Sequence, residues 1–166
     1  MMRTALVVVL ATVIGSCGGG EPAKSPAPIG GRSIAIDTGL AGVSLGMPAS
    51  AVRRQLGVPD AMQAVGVGEN GDSASVWTYR REHVTVQIAS PGVTRVETSS
   101  RQIRTREGLG VGSTQGEVAR GLELSCAPSG VQVWCTTGGS GFGDPQTIFV
   151  IRHGRVSLVR IVTVTP

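Results

Sequence analysis

An internal repeat limits the possible folds of this 166-residue chain more than any other feature of its sequence. Residues 42–57 (GVSLGMPASAVRRQLG) align with residues 108–123 (GLGVGSTQGEVARGLE) at an offset of 66, and five positions are identical. Further along, residues 86–97 align with residues 149–160 at an offset of 63. A chain rich in Gly and Val also produces chance identities, but two such blocks predict two copies of one structural unit.

The first copy, about residues 40–99, has the pattern of a short helix followed by three strands. Val52 and Leu56 have i, i+4 spacing in a predicted helix that follows Pro48, a residue favoured at the start of helices. Strand-like runs with alternating or continuous apolar residues follow at 75–81, 83–89 and 93–98.

The second copy, about residues 106–165, has the same pattern. Thr114 and Glu117 suit a capping box, and Val118 begins a second apolar helix stripe. Strand-like runs follow at 131–136, 147–152 and 156–165. The sequence therefore predicts an α+β fold, in which two tandem modules, each a helix plus a three-stranded antiparallel sheet, form one domain over residues 33–166.

The N-terminus has the pattern of an export signal. Arg3 precedes an apolar run at 5–14, which is too short to cross a bilayer, and small residues follow directly before Cys17. The sequence Ile-Gly-Ser-Cys at this point resembles the lipobox of bacterial lipoproteins. The resemblance implies a signal peptide at 1–16, a diacylglycerol on the Cys17 thiol, and attachment to a bacterial membrane on its periplasmic or extracellular face. Simple secretion is the alternative.

Residues 17–32 follow with the composition of a tether. This segment is rich in Gly and Pro and contains almost no large apolar residues, so it cannot contribute a core. In an extended polyproline-like conformation it would hold the domain about 45 Å from the membrane.

The chain has three cysteines, an odd number that needs an explanation in an exported protein. If Cys17 carries lipid, Cys126 and Cys135 remain as a pair that an oxidising compartment would join as a disulfide. Metal binding is the alternative, but two cysteines without a nearby histidine make a poor zinc site. The sequence predicts neither a metal nor a cofactor.

The charge pattern is weakly basic, with a formal net charge of +4, and all but one of the 15 Lys and Arg residues are Arg. Five of these arginines could form a basic surface toward anionic lipid headgroups or polymers. They are Arg53, Arg54, Arg101, Arg104 and Arg106. Separate solvated arginines are the alternative. The modest charge and the small number of aromatics (two Trp, one Tyr, two Phe) do not predict a nucleic-acid partner.

The run Leu45-Gly46-Met47, followed by Ala51-Val52-Arg53 and Leu56-Gly57-x-Pro59 after a lipobox, resembles the opening of BamE/SmpA-type lipoproteins. Two such modules, with one cysteine just after the second helix and another in the next strand, are also similar to the tandem-repeat β-lactamase inhibitory proteins. Together the resemblances cover about residues 42–164 and imply protein binding rather than enzyme activity. The inhibitors' first-module disulfide and aromatic-rich binding face have no counterpart in this sequence.

No residue pattern predicts catalysis. His83 and His153 have no cysteine, histidine or carboxylate at a spacing that suggests a dyad or a metal site. The Gly-rich run at 138–143 lacks the lysine and the helix of a phosphate-binding loop. The sequence therefore predicts a noncatalytic envelope lipoprotein that binds a protein, or a wall component, through its sheet or an inter-helix groove. The second hypothesis is an inhibitor of a secreted enzyme, such as a β-lactamase or a wall hydrolase.

Overall fold

The computed structural model describes residues 33–67, 73–139 and 141–164. The predicted signal peptide, the predicted lipid attachment at Cys17 and the predicted tether lie outside the described residues.

The first half of the domain contains seven strands and one helix. They are β1 (Ile34–Ala35), β2 (Gly39–Leu40), β3 (Val43–Ser44), α1 (Ala49–Leu56), β4 (Ala61–Val67), β5 (Ser73–Tyr79), β6 (Val84–Ala89) and β7 (Gly92–Thr98). The second half contains one helix and four strands. They are α2 (Gln115–Gly121), β8 (Ser125–Ser129), β9 (Gln132–Thr136), β10 (Pro145–Arg152) and β11 (Arg155–Thr163).

The dominant element is one eight-stranded antiparallel sheet with the order β4-β5-β6-β7-β11-β10-β9-β8. Each half contributes a meander of four consecutive strands, and the two meanders join where β7 pairs with β11. The short strands β1, β2 and β3 form a separate three-stranded sheet.

The predicted α+β class, with two modules of a helix plus a three-stranded sheet, is wrong. The described part of the chain is mostly β, its two helices have 8 and 7 residues, and one sheet runs through both halves. The sequence did not predict the three short strands β1, β2 and β3, and in the large sheet it missed β4 and β8, the two outer strands. Outer strands lack a fully buried face, so they carry no clear apolar alternation, and β8 even contains Pro128, which an edge strand tolerates.

The two halves use the same contacts at corresponding positions. In the first half, the backbone N–H of Gly46 donates to the carbonyl of Val93 at 2.8 Å. In the second half, the N–H of Gly112 donates to the carbonyl of Val156, also at 2.8 Å. The β6–β7 and β10–β11 pairs each contain a bulge, and the two bulges lie 63 residues apart, the same offset that aligns the sequences.

The core lies on one face of the large sheet. Both helices contribute one fully buried valine each to it, and the small sheet contributes Leu40 and Val43. These side chains form one cluster with Val86, Val96 and Phe149 from the large sheet. Because strand side chains alternate between faces, the helices and the small sheet all pack on the same side.

Candidate functional site

We call the opposite face of the large sheet the open face. Among the described residues, no helix or second sheet packs on it to form another core. Its side chains alternate with those of the core and are aligned across the strands by the hydrogen-bonded register. They include Val76, Thr78, Thr85, Gln87, Arg95, Glu97, Trp134, Thr136, Gln146, Ile148, Val150, Leu158, Arg160 and Val162.

A line of charged and aromatic side chains crosses the centre of the open face. Glu97 accepts a hydrogen bond from Nε of Arg160 at 2.6 Å, and the same carboxylate oxygen lies 3.5 Å from Nε of Arg95. The guanidinium of Arg160 also lies over the ring of Trp134, 5.9 Å from its centroid. The line contains two cations and one anion, so Glu97 neutralises only one of its two arginine neighbours.

Apolar side chains lie beneath this line. Ile148 and Val150 are each only 4% exposed, although neither belongs to the core cluster. The register places Val150 between Trp134 and Leu158, and Ile148 directly beside Arg160. These larger neighbours cover the two aliphatic side chains, because directly opposed residues on one face of a sheet are in contact.

Two depressions border Leu158. One has a volume of about 390 Å³, lies on the second-half strands, and is lined by residues that include Trp134, Val150 and Arg160. The other has a volume of about 330 Å³ and includes Thr85 and Glu97. Leu158 lines both depressions. The indole N–H of Trp134 is buried and has no hydrogen-bond partner among the described residues.

The predicted basic surface is only partly brought together. Arg53 lies over the ring of Trp77 at 4.8 Å and approaches the Sδ of Met62 at 3.6 Å, away from the open face. The neighbouring Arg54 is exposed on α1. The other predicted members lie in the segment between β7 and α2, where a pocket includes Arg101 and Arg104 but not Arg106. That pocket also includes Arg155, which is not one of the five predicted arginines.

The predicted disulfide between Cys126 and Cys135 is confirmed. It joins directly opposed residues of the outer strand β8 and its neighbour β9, with a Cα–Cα distance of 4.0 Å. Cys135 is fully buried in the core, so the disulfide ties the outer strand to the packed part of the sheet. Such bridges are typical of exported proteins.

The titratable side chains do not form a catalytic arrangement in the described part of the chain. His83 and His153 are exposed and lie in turns between strands. Burial raises the pKa of the Tyr79 hydroxyl above its usual 10.0, opposed by the positive charge of Arg53, so the phenol stays protonated at neutral pH. The described residues contain no group of three or more His, Cys, Asp and Glu side chains placed to bind a metal ion.

Neither helix of the described residues has the length and apolar composition needed to span a bilayer.

Comparison with known proteins gives no family assignment. No family model matches the chain, and no curated protein matches it, so the resemblance to BamE/SmpA lipoproteins receives no support from these comparisons. Among solved structures, the chain is similar to an extracellular protein containing a SCP domain from Bacillus anthracis, with a TM-score of 0.50 and 13% identity. The match covers 70% of this chain and 43% of that protein, so the chain spans less than half of its length.

A second solved structure is a candidate β-lactamase inhibitor protein from Streptococcus mutans. Its TM-score is 0.31 and its identity is 11%, over 66% of this chain and 78% of that protein. The first likeness concerns the fold alone, and the second is too low to support an inference about this chain.

Proposed function

We propose that this chain is a noncatalytic protein-binding module of the cell envelope, which receives a partner protein on its open face. The observation that supports the proposal is the open face itself, where Trp134, Arg160 and Leu158 surround buried aliphatic side chains without any described element covering them.

The size of the open face fits a protein partner. Eight strands at a spacing of about 4.8 Å make a face about 34 Å wide, and strands of about six residues make it about 20 Å high. The resulting area of about 700 Å² is close to the roughly 800 Å² that each partner contributes to a standard protein–protein interface. A small molecule would cover only a fraction of this surface.

The chemistry of the open face also fits a protein partner. Trp and Arg are the residue types enriched among side chains that dominate binding energy, and here Arg160 and Trp134 are stacked at the centre. Glu97 and Arg95 add charges of both signs, which select partners by electrostatic complementarity. Trp134 is the single aromatic of the open face, whereas single-stranded nucleic acids use several stacking aromatics.

The proposed location combines the disulfide with the N-terminal pattern. A disulfide suits an oxidising compartment, and Cys17 would attach the chain to the membrane through two acyl chains, which hold a protein stably where one does not. Residues 17–32 would then act as the tether that lets the open face reach its partner.

Site-specific photo-crosslinking tests the open face. A crosslinking residue is placed at Leu158 in the native host, and a matched residue is placed at Arg54, which is exposed on α1. We expect a discrete protein adduct from position 158 and none from position 54. Equal adducts from both positions, or no adduct from position 158, would contradict the proposal.

Two variants then test whether the crosslinked protein binds at the open face. Trp134→Ala should weaken binding of the identified partner about 30-fold, the effect of losing a central contact worth about 2 kcal/mol. Because Trp134 also shields Val150, Arg95→Glu provides a second test that leaves the aliphatic side chains covered. Unchanged affinity in both folded variants would exclude the open face.

Fractionation tests the anchor separately. The proposed lipid predicts that Cys17→Ser moves the protein from the membrane to the soluble fraction. Recovery of this variant in membranes would refute lipidation at Cys17. That result would not bear on partner binding at the open face.

Inhibition of a secreted enzyme would be one consequence of binding at the open face. The purified chain should then slow a β-lactamase or a wall hydrolase at micromolar concentration, and Arg95→Glu should relieve the inhibition. Absence of inhibition across both enzyme classes would leave binding without inhibition as the function.

A further inference from the structure

Three arginines converge on a second site, in the second half of the domain. Arg101, Arg104 and Arg155 line a pocket of about 290 Å³ together with Val111 and Gly112. Arg101 and Arg104 come from the segment between β7 and α2, and Arg155 begins β11, so the fold brings together residues that are far apart in sequence. We call this site the arginine pocket.

Backbone carbonyls hold two of these side chains in place. Arg104 donates from Nη1 to the carbonyl of Gly108 at 2.8 Å and from Nη2 to that of Val111 at 3.3 Å. Arg155 donates from Nη1 to the carbonyl of Gly112 at 2.9 Å. Each guanidinium has five N–H donors, so both retain donors that these bonds do not use.

The third arginine approaches the same loop. Nε of Arg101 lies 3.8 Å from the position that a Cβ on Gly112 would occupy. Since Gly112 has no side chain and a φ of +94°, no atom of this residue fills the space beside Arg101.

No carboxylate among the described residues forms an ion pair with these arginines. The two described ion pairs both involve Glu97, on the open face. Glu117 is close enough to Arg155 for their charges to interact, but its carboxylate accepts the backbone N–H of Thr114 at 2.7 Å. The three guanidiniums therefore carry more positive charge than this one nearby carboxylate offsets, an arrangement that favours a bound anion.

The first half of the domain has no arginine at the position that corresponds to Arg155. The position corresponding to Arg155 is Gly92, where an added Cβ would clash with the carbonyl oxygen of Gly46. The N–H of Gly46 nevertheless donates to the carbonyl of Val93 at 2.8 Å, as the N–H of Gly112 does to the carbonyl of Val156 in the second half. This backbone hydrogen bond therefore forms without any side chain at position 92.

We propose that the arginine pocket binds a phosphate group. Guanidinium groups present planar sets of N–H donors that match phosphate oxygens, and several of them can share one tetrahedral anion. The group could belong to a lipid headgroup or to a soluble phosphate compound. The N–H of Ile34 donates to the carbonyl of Arg104 at 2.8 Å, so the first described strand lies next to a residue of this pocket.

Titration of the purified chain with inorganic phosphate tests the pocket, with the amide resonances of Val111 and Gly112 as the readout. We expect saturable shifts in the native chain. Arg101→Gln and Arg155→Gln should each raise the phosphate Kd at least about fivefold, the effect of losing one exposed charge pair of about 1 kcal/mol. Arg106→Gln removes the same charge next to the pocket without lining it, and its Kd should stay within about twofold of the native value.

Shifts that do not saturate, or an equal change of Kd in all three variants, would overturn the proposal, because they would indicate general charge attraction. Arg101 makes no described hydrogen bond, so Arg101→Gln tests the pocket even if Arg155→Gln disturbs the fold.

Vesicles identify the source of the phosphate. Sedimentation with phosphatidylglycerol vesicles is compared with sedimentation with phosphatidylcholine vesicles for the same variants. Preference for the anionic vesicles that Arg101→Gln abolishes and Arg106→Gln keeps would assign a lipid headgroup. Saturable binding of inorganic phosphate without such a preference would support a soluble phosphate ligand. Neither saturable phosphate binding nor a preference sensitive to Arg101→Gln would overturn the site.

Discussion

Asp37 links the small sheet of the first half to the second half of the large sheet. It lies in the turn between β1 and β2, where its Oδ1 accepts the hydroxyl hydrogens of Thr137 at 2.5 Å and Thr147 at 2.8 Å. Its backbone N–H donates to Oγ1 of Thr147 at 2.7 Å. Thr147 is fully buried, so removal of the carboxylate leaves a hydroxyl donor without its acceptor in the core.

We therefore predict that Asp37→Gly destabilises the domain by about 3 kcal/mol, because two hydrogen bonds to a charged group are lost at a partly buried site. For a domain of this size the corresponding fall in Tm is about 10 °C. Glycine is the appropriate replacement because Asp37 has a φ of +55°, where most other side chains add backbone strain. His83→Gly is the matched control, since His83 is exposed and has a φ of +53°.

Urea denaturation of the two variants measures the difference. His83→Gly should change the free energy of unfolding by less than about 1 kcal/mol, which isolates the contribution of the carboxylate. A double-mutant cycle with Thr137→Val should give a coupling energy of at least about 1 kcal/mol. If Asp37→Gly were no more destabilising than His83→Gly, or if the cycle showed no coupling, the link would not stabilise the domain.

Three further predictions concern stability. Replacing both disulfide cysteines with Ala should cost about 2.5 kcal/mol in urea denaturation, the chain-entropy value for a closed loop of about ten residues, and an equal midpoint without the bridge would contradict this. The backbone N–H and then the side chain of Thr114 hold the pKa of Glu117 below its usual 4.5. Glu117 therefore makes its full contribution to stability above pH 4.5, and this contribution is lost as the pH falls through the lower pKa that Glu117 has in the folded state. The Tm difference between native chain and Glu117→Gln should shrink below pH 4.5; a pH-independent difference would refute the linkage. Val52→Ala and Val118→Ala should each cost about 2 kcal/mol, since both valines are fully buried at corresponding positions, and costs that differ by more than about 1 kcal/mol would show that the two helices pack unequally.

The sequence predicted the inner strands of the large sheet well and its outer strands not at all. Alternating apolar residues mark a strand only when one of its faces is buried, as in β6, where the buried Val84, Val86 and Ile88 alternate with partly exposed residues. The described side chains of β4 from Ala61 to Gly66 are all exposed, so nothing in their pattern separates this strand from a loop. The fold class was wrong for this reason, because two unrecognised outer strands and the β7–β11 joint turn two small sheets into one large sheet.

The bonds and sites also divide into those that the sequence could predict and those that depend on the fold. The Cys126–Cys135 pair is local, with a separation of 9 residues, and could be predicted from cysteine number and compartment. Asp37 lies in a turn, but its hydroxyl partners are 100 and 110 residues away, and no local pattern encodes such contacts. Arg155 joins the arginine pocket only because β11 returns past the loop before α2, a consequence of topology rather than of spacing.

The β7–β11 joint gives the open face its full width of eight strands. Glu97 is paired directly with Arg160, and these residues correspond to each other at the offset of 63, so an approximate twofold axis passes between them. One half alone would leave β7 as a bare edge and would halve the open face. Two identical halves would place like residues opposite each other at this axis, which is destabilising for charges. With Glu97 in one half and Arg160 in the other, the axis instead carries a hydrogen-bonded ion pair of 2.6 Å. The pair stabilises the joint and makes the centre of the open face asymmetric, so the protein that we propose to bind there would be held in a single orientation.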